Sequence, residues 1–152
     1  MLSRRYATCG RYIRGRFAEA VAVFESHSID LLHIDGLHTY AAVREDYETW
    51  RPRLTDDGVI LLHGTAEQQS DVGAWQFFDE VRSQATEWFS FRHGHGLGVL
   101  AFGDVSTPAV RLLRRLREDP VLFERHYGIL GGALLQSRRA ECDMAAVQRR
   151  AA

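Results

Sequence analysis

The sequence predicts an α/β domain with a terminal antiparallel hairpin. Two short apolar runs, Ile29–Ile34 and Val59–Leu62, read as buried strands. Around them, apolar residues recur at intervals of three and four, the spacing of amphipathic helices. Two further short strands, Trp88–Phe91 and Gly98–Phe102, flank the polar turn Arg92-His93-Gly94-His95-Gly96. Helix, strand, helix, strand, helix, hairpin and closing helices is an α/β order.

Each element has a local reason. Phe17, Ala20, Val21 and Phe24 form one helical stripe before the first strand. Tyr40, Val43, Tyr47, Trp50 and Leu54 form a second stripe, closed by Pro52. Asp57-Gly58 predicts a turn into the second strand, which ends at His63-Gly64. Val72, Trp75, Phe78, Val81 and Ala85 mark the next helix, with Asp71 as its expected N-cap. Thr107-Pro108 opens a helix through Leu116, and a last helical stretch starts at Pro120. Gly128, Gly131 and Gly132 inside it, each costing about 1 kcal/mol against Ala, predict a kink, a break or a close helix contact.

The 152 residues suffice for one domain with a sizeable core. A net charge of −1 offers no field that would attract nucleic acid or anionic lipid. No apolar run approaches the roughly 18 residues of a membrane span. All 19 basic residues are Arg, which reads as coding bias. Cys9 and Cys142 match no metal or redox spacing, and two such thiols without a secretory signal point to the cytoplasm. The Arg-rich start, Arg4 to Arg16, reads as a surface segment leading into the domain.

The segment Leu31–Tyr40, LLHIDGLHTY, carries the chemistry. A right-handed crossover makes the two buried strands parallel. Their carboxyl ends, Asp35 and His63, then share the sheet edge where α/β folds place ligands, and His38 opens the following helix there. His93 and His95 join that edge if the strand before them runs the same way, and Asp71 lies on the same side. One Asp among several His suits a general base or a divalent cation. His33, inside the strand pattern, reads as a packing residue. The Gly94–Gly98 run lacks the strand-loop-helix context of a phosphate loop.

The stretch IDLLHIDGLHTYAAVREDYETW, followed by DGVILLHGT, DVGAW and HGHGLGVL, resembles the class I S-adenosylmethionine-dependent methyltransferases. Within them it resembles a branch found beside, or fused to, bacterial glycosyltransferases. The resemblance covers about Gly15 to Phe102. It implies a partial Rossmann-like methyltransferase sheet with strands equivalent to 4-5-7-6 of the family order 3-2-1-4-5-7-6. It also implies that Arg11–Arg16 is the remnant or exit of the third strand. Residues 1–104 are then the carboxyl-terminal half of the domain and 105–152 a helical extension.

The implied activity is methyl transfer from S-adenosylmethionine to a small-molecule or sugar acceptor. His38 or His63 would be the base, with Asp35 orienting it or binding a cation, and Asp35 and Gly36 facing the cofactor. Two departures qualify this. The family's glycine-rich loop and ribose-binding acid have no counterpart, so the chain reads as a truncated or split half, inactive alone. Where metal-assisted relatives pair the Asp35 equivalent with a second Asp, this chain has Gly64. Two alternatives are a hydrolase-like metal site of Asp35, His38, His63, His93 and His95, and a non-catalytic module. The strand Ile29–Ile34, left at the sheet edge, predicts a homodimer through that edge.

Overall fold

The computed structural model describes residues 8–69 and 71–150. The helix α1 (Phe17–Ala20), extended by a 3-10 turn to Val23, leads into β1 (Ile29–Ile34). Then follow α2 (Tyr40–Trp50), β2 (Leu54–His63), α3 (Ala74–Val81), β3 (Glu87–Phe91), β4 (Leu97–Ala101), α4 (Pro108–Glu118) and α5 (Pro120–Arg150). Residues 8–16 form no strand, so the expected third-strand remnant is not present among the described residues.

The four strands form one sheet in the order β1-β2-β4-β3. β1 and β2 are parallel, while β4 runs antiparallel to both of its neighbours. β3 therefore points the same way as β1 and β2. This is the 4-5-7-6 arrangement that the resemblance implied.

Helices cover both faces. Ile34, Ile60, Leu62 and Leu100 pack against Val43 and Tyr47 of α2 and Phe77, Phe78 and Val81 of α3. On the other face Phe89, Val99 and Ala101 pack against Val110, Leu113 and Leu116 of α4, with Phe123 of α5 at the margin. The first helix of the expected extension is thus part of the core. A carboxylate fastens it: Glu87 of β3 accepts from Arg117 at 2.5 Å and lies 3.4 Å from Arg114.

That second face is bare over β1. Leu31 is 58% exposed and His33 is exposed as well. The expectation of a packing role for His33 fails because no described helix reaches this end of the sheet. The two sheet edges also differ. On β3, the Trp88 N–H donates to Glu87 and the Arg92 N–H to Glu124. Among the described residues, no side chain hydrogen-bonds the backbone of β1.

Three local expectations are corrected. Asp57-Gly58 is not a turn before β2 but a bulge within it, since Ile29 pairs with Leu54 while Leu31 pairs with Val59. Gly73, not Asp71, occupies the N-cap of α3, and Asp71 is exposed. The glycines of α5 neither break it nor lie against another element, for an added Cβ there would meet nothing within 4 Å. No described helix is long and apolar enough to cross a membrane.

Candidate functional site

Asp35 immediately follows β1, and His63 is the last residue of β2. Parallel pairing, Ile34 beside Leu62, brings them to one edge. His38 stands one residue before Thr39, whose hydroxyl caps α2 by accepting from the Ala42 N–H at 3.3 Å. The carbonyl of His38 accepts from Gly73 N–H at 2.7 Å and Ala74 N–H at 3.1 Å. The start of α3 therefore pins the loop that carries His38.

The three side chains converge. His63 Nδ1 lies 2.9 Å from Asp35 Oδ1, and His38 Nε2 lies 3.3 Å from the same oxygen. The two nitrogens are 3.3 Å apart, with the rings edge to face. Both imidazoles are about three-quarters buried, while half of the Asp35 side chain is open to solvent. Burial pushes the Asp35 carboxyl up, but the hydrogen bond from His38 and the neighbouring charges of His63, His33 and His38 outweigh it. Its pKa stands below the ordinary value.

Gly64 explains how His38 fits. Its φ of +82° is a conformation that side-chain-bearing residues rarely adopt, and a Cβ there would lie 2.9 Å from His38 Nδ1. The imidazole fills the space beside residue 64. Gly96 plays a similar part in the hairpin turn: its φ is +88° and an added Cβ would collide with Ala66. Two backbone bonds, Gly64 N–H to Gly96 and Ala66 N–H to His95, each 3.0 Å, clasp the turn onto the loop after β2.

The other expected residues stand further out. His95 joins the edge as a second layer, its ring 5.8 Å from that of His63 and its Nδ1 paired with Glu67. His93 packs on Phe91 instead. Among the described residues, only Asp35, His38 and His63 form a group able to share one ion, so the five-residue metal cluster does not assemble. Gly36 lies against the ring of Phe17 and the carboxylate of Asp46. Sequence reasoning missed Glu67, whose only signal is its position three residues after Gly64, and Thr65, whose hydroxyl is buried without a partner. It also missed a cleft of about 1010 Å³ lined by Thr65, Gln68, Trp75, Ser90 and Arg92 among others.

Residues 2–65 match the family model described as a methyltransferase domain. A protein of Sinorhizobium fredii, named uncharacterized protein y4gI, is 34% identical over 117 residues. That similarity covers 77% of this chain and 13% of y4gI, so the chain matches only a small part of that relative's length. A crystal structure of a Corynebacterium glutamicum protein is 17% identical, with a TM-score of 0.48, covering 68% of this chain and 53% of that one. The match over residues 2–65 agrees with the resemblance of the four motifs to the class I S-adenosylmethionine-dependent methyltransferases.

Proposed function

We propose that this edge serves methyl transfer from S-adenosylmethionine to a hydroxyl or amine of a small-molecule or sugar acceptor, with His63 as the base. The observation that carries the reading is the 2.9 Å contact between His63 Nδ1 and Asp35. With Nδ1–H donated to the carboxylate, Nε2 keeps a lone pair for the acceptor's proton. Asp35 fixes that tautomer and stabilises the imidazolium once the proton arrives, as a carboxylate does for a histidine base in hydrolases. His38, on the same oxygen, holds Asp35 in place. The cleft lined by Thr65, Gln68, Trp75, Ser90 and Arg92 among others offers an indole and polar groups suited to a hydroxylated acceptor.

The cofactor, when bound, supplies the methyl group as an electrophilic sulfonium. The residues described here fit the acceptor side of that reaction rather than the cofactor's side. Phe17 and Asp46 close over Gly36, and the Gly94–Gly98 run lies in a hairpin, not between a strand and a helix. Affinity of this chain alone for the cofactor is therefore expected to be weaker than about 1 mM, or about −4 kcal/mol. The exposed, unpaired thiols of Cys9 and Cys142 favour a reducing, cytoplasmic setting.

Titration of isotopically labelled protein with S-adenosylhomocysteine, followed by NMR, tests the reading. Amides of Asp35–His38 and His63–Thr65 should shift at millimolar ligand. Shifts confined to other surfaces overturn the assignment of the site. A micromolar dissociation constant overturns the view that the cofactor's main contacts lie elsewhere.

A further inference from the structure

We propose that Asp35, His38 and His63 form a site for a nitrogen-seeking transition-metal dication, of which zinc is the type, and not for magnesium. The donor spacing suits such an ion. Donor atoms each about 2.1 Å from a tetrahedral zinc stand about 3.4 Å apart. The donor pairs here are 2.9, 3.3 and 3.3 Å apart, so an ion enters after an expansion of a few tenths of an ångström.

The donor chemistry separates zinc from magnesium. Two imidazole nitrogens and one carboxylate suit zinc, cobalt or nickel, whereas magnesium takes oxygen ligands in an octahedron. The family resemblance implies a second carboxylate at position 64. That position is glycine, its backbone is in the left-handed region, and His38 occupies the adjacent space. The oxygen site is thus replaced by a nitrogen site, and the two cannot coexist without moving His38.

The ligands are also held in place by the fold. His63 sits on a strand end paired with Leu97 of β4, and the loop of His38 is tied to the start of α3. Only Asp35, half exposed, faces solvent broadly, leaving an open fourth position for water or an acceptor oxygen. The proposal concerns the same side chains as the methyl-transfer reading but does not depend on it. An ion on His63 Nδ1 moves the remaining proton to Nε2, so base and ligand are alternative states of one residue. The test therefore reads binding and not turnover.

The chain, stripped of metal with chelator, is titrated with zinc and separately with magnesium by calorimetry, and with cobalt by visible absorption. Expected are one zinc per chain at micromolar or tighter affinity, cobalt bands without thiolate charge transfer, and no magnesium uptake at millimolar concentration. His38→Ala, on a loop, and Asp35→Asn should each weaken zinc by at least about tenfold, the lower end of what even outer-shell changes cost. His126→Ala should leave it unchanged. Circular dichroism confirms that each variant is folded, and His38→Gln reads the same ligand if the alanine variant is not. Zinc binding equal in the His38 and Asp35 variants, thiolate bands from cysteine, or magnesium binding tighter than zinc overturns the proposal.

Discussion

Replacing Glu87 by alanine should loosen the packing of α4 on the sheet by about 2 kcal/mol. The carboxylate is 8% exposed and holds three donors: Arg117 at 2.5 Å, the Trp88 N–H at 3.2 Å and Arg114 at 3.4 Å. A hydrogen bond to a charged group contributes about 1.5–3 kcal/mol and a neutral one about 1. Both guanidinium groups are about half exposed, so they regain water once the carboxylate is gone, and the long Arg114 contact adds little. The net loss therefore falls near the low end of the sum. Urea unfolding at neutral pH should show a midpoint lower by about 1 M with an unchanged slope, given slopes of about 1–3 kcal/mol/M. The pH dependence has a definite sign. Burial raises the Glu87 carboxyl, but the bonds from Arg117 and Trp88 outweigh it and set its pKa below the ordinary 4.5. Its contribution is complete above that value and is lost as the pH falls through the lower folded one. The parent and variant curves should converge in acid. A loss under about 0.5 kcal/mol at neutral pH, or a gap that widens in acid, would refute this account of the anchor.

Other outcomes follow from the site and the open edge. In a preparation active in methyl transfer, Asp35→Asn should lower turnover by about 10²–10⁴-fold, the range of a positioned base, with little loss of stability; unchanged turnover would remove His63 from the role of base. Gly64→Ala should cost about 1–2 kcal/mol for its left-handed backbone and displace the His38 ring, read by denaturation and by histidine NMR. Gly64→Asp should confer no magnesium binding, and a calorimetric signal for magnesium would contradict the packing argument. Sedimentation across a micromolar concentration series should show dimerisation suppressed by Leu31→Lys, and a monomer throughout would remove β1 as a docking edge.

The elements with strong periodicity are legible in the sequence. Ile29–Ile34 is a strand because six residues of apolar and β-favouring character end at a helix signal, and the Tyr40–Trp50 stripe has one face to bury. The meeting of Asp35, His38 and His63 followed from the parallel crossover alone. Failures occurred where a local signal has two structural answers. Asp57-Gly58 can make a turn or a bulge, and pairing with β1 on both sides selected the bulge. His33 follows the strand alternation, yet its face lacks a covering helix, which no local pattern encodes. The glycines of α5 suggested a break, but they lie in a helix with open space beside them. Glu67 reaches His95 only through the clasp between two loops 28 residues apart in sequence.

The asymmetry of the two sheet edges gives lateral association a stopping rule. At the β3 edge the Trp88 N–H, and just past the strand the Arg92 N–H, are already engaged by carboxylates of the same chain, so an incoming strand must displace charge-assisted bonds to pair there. On β1, among the described residues, there is nothing comparable to displace. Two copies meeting through β1 about a twofold axis would expose only capped edges to solvent. Growth would end at the pair instead of running on into a fibre. Strong acid, by protonating Glu87, would weaken its cap and turn a self-limiting contact into one that propagates.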